Sequence, residues 1–376
     1  MRFLTAGESH GQAMIAILEG FPKGIKIEAS YINEELKRRW GGFGRGKRMH
    51  IEQDCVEILS GLRNKITLGS PICMLVRNKD AKIFTQTEDN LPPLFVPRPG
   101  HSDFGGCLKY EEKDIRNILE RASARETVTR VCVGAACKIF LSNFNIVLVS
   151  FIVRIGNIMI HKKPKNIEEI IKKTKESKLN CIDRAKEILM INEIEGAQRE
   201  GDTLGGILEV WAQGLPPGLG SCMHFDKRLD AKIAAYLMSI PSVKAVEIGA
   251  GFEYARKRGS ESHDKIYFSK RQGFYRRGNN SGGIEGGISN GEPIVIRIGA
   301  KPIPTLKRPL YSVNLVSKRR QKATVQRSDV CIIGSLGVIA ESMVAIALVE
   351  SFLEKFGSDS LKEVKRNYRN YLRSLP

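Results

Sequence analysis

Ala13 to Leu18 is an uninterrupted apolar run, closed by the turn residues Gly20-Phe21-Pro22-Lys23-Gly24. Ile25-Lys26-Ile27-Glu28 then alternates with the two-residue period of a half-buried strand, so the two segments predict a hairpin. After Ser30, which can cap a helix by accepting a hydrogen bond from a free N–H, Ile32, Leu36 and Arg39 recur at helical spacing until Gly41-Gly42 must end the helix. Arg38 and Arg39 therefore fall in its last turn, beside the glycine-rich segment from Gly41 to Arg48.

A second helix is predicted from about Ala124 towards Leu141, because Ser123 and Glu126 stand three apart in a capping box ahead of helical apolar positions. Glu120-Arg121-Ala122-Ser123 then lies at the helix entrance, where free N–H groups and the positive end of the dipole favour an anion. Ile207 to Trp211 has strand composition and is ended by Pro216-Pro217-Gly218, while Leu229, Ile233, Leu237 and Ile240 mark one helix face. Gly273 to Gly291 is expected as a long glycine-rich loop ahead of a strand at Pro293 to Gly299, and loops of that length are often functional. Leu336 to Val349 is the most apolar stretch, yet it contains Glu341 and falls short of the roughly 20 residues that span a bilayer, so a buried helix is expected. The lysine-rich stretch from His161 to Lys178 predicts exposed helix and loop with little chemistry. Helical and strand-like segments are interspersed without a fixed repeat, which predicts a mixed α and β fold.

With 376 residues, 42% of them hydrophobic, the chain can bury a large core as one big domain or two smaller ones. Its 60 Lys+Arg against 41 Asp+Glu give a formal charge of +19, which attracts anions of any kind: nucleic acid, acidic lipid or phosphorylated metabolites. The cysteines at 55, 73, 107, 132, 137, 181, 222 and 331 show neither Cys-x-x-Cys spacing nor a zinc-type cluster with histidine, so reduced thiols and no metal are expected. Met1 to Ala6 runs straight into Gly-Glu-Ser-His with no secretory signal, which makes the cytoplasm the expected location.

His10 and His101 are the sharpest chemical candidates, for each lies in a glycine-flanked segment, Gly7-Glu8-Ser9-His10-Gly11 and Arg98-Pro99-Gly100-His101-Ser102-Asp103. Imidazole changes protonation near neutral pH, and glycine lets the backbone approach a ligand closely. His50, His161, His224 and His263 lack such surroundings and read as structural or solvated. Arg38, Arg39, Arg45, Arg48, Arg98, Arg121, Arg125 and Arg327 form a second constellation, whose planar forks suit phosphate and carboxylate. Lys37, Lys47, Lys318, Arg319 and Arg320 read as a solvated face. The glycine-rich loops match neither a P-loop nor a dinucleotide-binding fingerprint, and no Gly-x-Ser-x-Gly elbow is present, which argues against nucleotide folds and covalent serine hydrolysis. Acid-assisted chemistry on a polyanion is the reading that remains.

Gly7 to Gly11, Glu120-Arg121-Ala122-Ser123-Ala124-Arg125-Glu126-Thr127 and Arg327-Ser328-Asp329-Val330-Cys331 resemble, in order and separation, the three signature segments of the chorismate synthase family. Arg98 to His101, Gly214 to Ser221 and Gly282 to Gly287 are similar to that family too, so the likeness covers nearly the whole chain. The resemblance implies a single domain over residues 1–376, an α+β fold in which a helical layer lies between two antiparallel sheets (a β-α-β sandwich), and a homotetramer. It implies a 1,4-anti elimination of phosphate from 5-enolpyruvylshikimate 3-phosphate to give chorismate, with reduced FMN and no net redox change.

On matching motifs, His10 resembles the acid near the departing phosphate and His101 the group that protonates or balances reduced flavin. Asp329 resembles a relay for the proton from flavin N5, supported by Ser9 and Ser123. The resemblance places Arg39, Arg45, Arg48, Arg98, Arg125 and Arg327 on substrate anions, and Arg39 and Arg45 also on NADPH. It places Arg121, Ala122, Ser123, Gly286, Lys301, Pro302, Ile303, Pro304, Thr305 and Arg327 at FMN. Two departures stand out: Pro241-Ser242 where many relatives have an Asn-Ala or similar pair, and Gln12 in place of a proline; proline at 241 offers no N–H. The alternatives are a basic nucleic-acid-binding protein, for which no recognition motif speaks, and a flavin oxidoreductase, which would oxidise or reduce its substrate instead of releasing phosphate.

Overall fold

The computed structural model describes residues 1–44, 53–81, 92–271, 273–326 and 329–376. Strand β1 (Arg2–Ala6) pairs antiparallel with β2 (Ala13–Glu19), so the first hairpin has Gly7 to Gln12 as its loop. The second edge of β2 takes β4 (Ile72–Arg77), and β3 (Val56–Ile58) completes a sheet of order β1-β2-β4-β3. Met14, Ala16 and Leu18 are buried while Ile17 is exposed, the alternation of a sheet with one face on the core.

The expected partner of β2, residues 25–28, is not a strand: Ile25 and Ile27 are buried, but the backbone makes one isolated bridge, Lys26 to Ile66. Alternation reports which side chains are buried and not which strand lies alongside, and both edges of β2 are already filled. Helix α1 (Ala29–Trp40) buries Ile32, Leu36 and Arg39 as expected and ends where the Gly41 N–H bonds the Lys37 carbonyl. Its N-cap is Glu28, without a side-chain cap, so Ser30 lies inside the first turn and does not cap it.

The second expected helix begins with a 3₁₀ turn at Ala124–Glu126 and continues as α2 (Thr127–Ser142). The capping box is not closed: Ser123 Oγ accepts from the Arg125 N–H at 3.3 Å, while the Glu126 carboxylate accepts from Thr5 Oγ1 and Arg130 Nε. Helix α3 (Leu229–Met238) stops two residues short of Ile240, which is nonetheless buried. Residues 273–291 are not one loop, since Gly273–Arg276 pairs with Ile266–Ser269 and Ile284–Glu285 with Ile288–Ser289.

A second sheet, also wholly antiparallel, has the order β8-β9-β7-β5-β6, formed by β5 (Val147–Ile155), β6 (Ile158–Met159), β7 (Gly206–Gln213), β8 (Val243–Ile248) and β9 (Ile294–Ala300). Helix α4 (Ile333–Phe356) packs on β5 and β7 with one side and on α2 with another, and α2 in turn packs on β2 and β4. At 24 residues α4 is long and apolar enough to cross a membrane, but 94% of its most apolar window is buried inside the protein, as the core helix expected. Gly134 lets α2 and α4 touch, because a Cβ there would lie 2.2 Å from Ser342 Cβ.

One charge cluster, with Glu341, Lys138 and Glu35 buried and Arg38 at its exposed edge, ties these layers together. Arg38 Nη1 and Nη2 donate to the two Glu341 oxygens at 2.9 Å each, Lys138 Nζ donates to Glu341 at 2.5 Å and to Glu35 at 2.6 Å, and Ser150 Oγ donates to Glu341 at 2.7 Å. Arg38, one of the constellation's arginines, is thereby committed to α4. No disulfide joins the eight cysteines.

Candidate active site

The β1–β2 loop is strained into shape and then clamped. Gly7 has φ +107°, and a Cβ there would lie 2.3 Å from the Ala13 carbonyl oxygen, so only glycine fits. Asn78 Nδ2 donates to the Glu8 and Gly11 carbonyls at 3.1 and 2.8 Å, Arg121 donates to the Gly7 and Thr5 carbonyls at 3.1 and 2.9 Å, and the Ser9 N–H bonds the Glu120 carbonyl at 3.0 Å. Two sequence segments more than a hundred residues apart thus become one surface. Gly7→Ala is expected to cost about 1–3 kcal/mol through left-handed backbone strain and the clash, read as a lower thermal midpoint by circular dichroism.

His10 is held by Glu120 on two sides. Its backbone N–H donates to Glu120 Oε2 at 2.9 Å and its Nδ1 stands 3.0 Å from both carboxylate oxygens, while Nε2 is 4.0 Å from Asp80. Burial pushes the Glu120 carboxyl up, but the hydrogen bonds and charge of His10 outweigh it and hold the group below its ordinary range. His101 repeats the arrangement, its Nδ1 lying 2.5 Å from Asp103 Oδ1 at the start of the short helix Asp103–Lys109. Burial again opposes ionisation, and the His101 and Arg98 hydrogen bonds override it, leaving Asp103 well below the usual carboxylate range.

Arg98 is committed to this cluster: Nε donates to Asp103 Oδ2 at 2.8 Å, Nη2 to Oδ1 at 3.0 Å and Nη1 to Thr305 Oγ1 at 2.9 Å. Arg39 and Arg125 meet on the buried Asp54, at 3.5 and 2.6 Å, while Arg39 Nε also donates to Thr127 Oγ1 and Arg125 Nε to Asn78 Oδ1. Lys301 Nζ donates to the Gly100 carbonyl, and burial followed by the nearby Lys244 charge lowers its pKa below the ordinary lysine value.

These groups open on one cavity of about 680 Å³. Of the residues singled out in the sequence, Ser9, His10, Arg39, Arg98, His101, Ala122, Ser123, Arg125, Lys301, Ile303, Pro304, Thr305 and Asp329 line it. Arg121, Pro302 and Gly286 do not; Arg121 works behind the loop, and Gly286 sits in the turn between Glu285 and Ile288. Arg45, Arg48 and Arg327 lie outside the described residues, as does His50. The Val330 N–H bonds the Gly44 carbonyl at 3.0 Å, so the segments that lead to Arg45 and Arg327 are joined beside Asp329. Pro241 and Ser242 face the cavity, and the backbone contact there is carried by the Ser242 carbonyl, which accepts from the Lys301 N–H at 2.9 Å.

Glu120, Asp103, Asp54 and Asn78 were not assigned roles from the sequence. Asp103 had a readable signal, a carboxylate two residues from a candidate histidine; Asp54 and Asn78 had none, since their arginine partners lie 15 to 71 residues away in the chain. The arrangement combines two imidazoles, each backed by a carboxylate, with Arg39, Arg98, Arg125, Lys244 and Lys301 against Asp329 as the one carboxylate among the described lining residues. Such a site binds a polyanion and moves protons on it. No group of three or more histidine, cysteine or acidic residues suited to a metal occurs among the described residues.

The sequence profile of chorismate synthase matches residues 1–353. The chorismate synthase of Desulforudis audaxviator is 47% identical over 382 residues, covering 100% of this chain and 98% of that protein. That of Caldicellulosiruptor bescii is 48% identical over 377 residues, covering 98% of each. A chorismate synthase crystal structure superposes with a TM-score of 0.80 at 40% identity, covering 99% of this chain and 97% of the other. Together with the paired imidazoles and the basic cavity, these likenesses establish that the chain belongs to the chorismate synthase family.

Proposed function

We propose that the chain converts 5-enolpyruvylshikimate 3-phosphate to chorismate and inorganic phosphate by 1,4-anti elimination, as a lyase of aromatic amino acid biosynthesis. The observation that carries this reading is the opening of two carboxylate-backed imidazoles, His10 and His101, on one cationic cavity. The substrate bears a phosphate and two carboxylates, and Arg39, Arg125, Lys244 and Lys301 meet that charge with cations.

The cavity also suits FMN. Its volume of about 680 Å³ is that of a ligand pocket, and its lining combines the apolar Ile240, Val243, Ile332, Leu336 and Ile339 with cations. A planar ring system fits the first and a phosphate the second. Ala122, Ser123, Lys301, Ile303, Pro304 and Thr305 are the residues to hold it, with Arg327 and Gly286 carried over from the family. When bound, reduced FMN supplies electron density for phosphate loss and an acceptor for the ring proton.

The chain's own residues do the rest. His10, fixed by Glu120, offers a proton to the departing phosphate, which otherwise must leave at its highest charge. His101 holds a second proton at the same cavity, and Asp329, with Ser9 and Ser123, lines that cavity and supports the proton transfers. Arg39 and Arg125, braced by Asp54, orient the substrate anions, and Arg45, Arg48 and Arg327 add to that set. The same reading carries a β-α-β sandwich as one domain over residues 1–376, a homotetramer, a cytoplasmic location without nucleic-acid or membrane partners, and NADPH held by Arg39 and Arg45 as a source of electrons.

Anaerobic incubation of the purified protein with this substrate and chemically reduced FMN is expected to release chorismate and phosphate in equal amounts. No product from folded, flavin-loaded protein would refute the assignment. NADPH consumption alongside chorismate formation in air tests the electron source.

A further inference from the structure

His101 Nδ1 lies 2.5 Å from Asp103 Oδ1, and an ionised carboxylate can only accept, so Nδ1 carries the hydrogen. The carboxylate is itself fixed. The Arg98 backbone N–H and Nε both donate to Oδ2, at 3.1 and 2.8 Å, Nη2 donates to Oδ1 at 3.0 Å, and Asp103 has no solvent exposure. Arg98 in turn is fastened to Thr305 and is itself 8% exposed. Its Nη2 lies 3.1 Å from His101 Nδ1 and 3.4 Å from Nε2, so it packs against the ring without selecting one nitrogen, and the Asp103 contact alone sets the tautomer.

From this geometry we propose that Asp103 is a positioning residue that locks neutral His101 in the Nδ1–H tautomer, and that Arg98 is its brace and not a fork for substrate. Nε2 is then the working nitrogen of His101, an acceptor until it is protonated. His10 stands on Glu120 through the same ring atom, with its Nε2 4.0 Å from Asp80, so in both imidazoles Nδ1 is the nitrogen hydrogen-bonded to a carboxylate. The inference deepens the lyase reading for its kinetic consequence; the tautomer itself stands or falls on the hydrogen bonds alone.

Asp103→Asn inverts the arrangement for a definite reason. Two Arg98 donors point at the Oδ2 position and one, Nη2, at Oδ1, so the amide oxygen takes the Oδ2 position and the NH₂ group is left at Oδ1 facing His101 Nδ1. Nδ1 then becomes an acceptor and the hydrogen moves to Nε2. A comparable tautomer change in a serine protease triad lowers kcat by about 10⁴.

The test is long-range ¹H–¹⁵N spectroscopy of the FMN-loaded protein labelled at histidine, with the His101 signals identified by their loss in His101→Gln. In the parent protein at a pH where the ring is neutral, a protonated Nδ1 and an unprotonated Nε2 are expected; the reverse overturns the proposal without any variant being made. In Asp103→Asn the two signals exchange type, and kcat is expected to fall at least about a hundredfold, within the span of general acid–base contributions, with KM and FMN affinity within about threefold. A variant whose signals do not exchange, or whose KM rises as much as kcat falls, also overturns it. If the parent protein forms no chorismate, the lyase reading fails, and the ring signals still decide the tautomer.

Discussion

His10→Ala is expected to lower turnover by about 10²–10⁴, the range that a positioned acid supplies, while FMN affinity changes by less than about threefold. The difference follows from how the residue is held. Glu120 accepts from both the His10 backbone N–H and the imidazole, so alanine keeps the backbone bond and with it the shape of the loop. Asn78 and Arg121 continue to clamp that loop from behind. What disappears is the proton donor itself. A hundredfold loss corresponds to about 2.7 kcal/mol of barrier. Single-turnover measurement of chorismate formation, beside flavin titration, separates the two effects. Equal losses in turnover and flavin affinity would show that His10 shapes the pocket and does no proton transfer.

Glu341→Ala carries the largest expected effect on stability, about 3–5 kcal/mol, because removal of one member of a buried ion cluster leaves its partners uncompensated. Arg38 and Lys138 both point at this carboxylate, and Ser150 loses its acceptor as well. Adding Lys138→Met should recover part of the loss, since Arg38 still pairs with Glu35 at 2.9 Å. A double variant no more stable than Glu341→Ala would remove the electrostatic explanation and leave a packing defect.

The same cluster makes a prediction about acid. Burial pushes the Glu341 carboxyl up, yet the Arg38 and Lys138 charges outweigh it and hold the group far below its ordinary 4.5. A folded pKa below the unfolded one means that the unfolded chain binds the proton first. The stabilisation is therefore complete above about pH 4.5 and drains away as pH falls towards the folded value. Denaturant midpoints of the parent and of Glu341→Ala should differ most near neutrality and converge in acid; a constant gap down to pH 3 would contradict this linkage.

His10, His101 and the arginines were legible because each sits in a short segment whose composition is local: glycine beside histidine, or arginine at a helix end. Local features that depend on neighbours were read less well. Ile25 and Ile27 alternate like a strand and are buried like one, but they have no ladder. Ser30 had the right side chain for a cap, but the backbone placed Glu28 at that helix start; Ser123 does cap, through Arg125 N–H, yet it caps a 3₁₀ turn and Glu126 does not close the box. Arg38 and Arg98 looked like ligand forks, yet Glu341 and Asp103 occupy them.

By itself, the order of residues determined the mixed class, the buried α4 and the pairing of imidazole with cationic chemistry, since those rest on burial and on side-chain chemistry. Only the tertiary structure decided which arginines face the cavity and which are fastened to carboxylates, and that Glu120 and Asp103 back the two imidazoles. A guanidinium's task depends on which acceptor lies within about 3 Å of it, and the acceptors of Arg38 and Arg125 come from positions up to 303 residues away in the chain. That proximity exists only once the chain has folded.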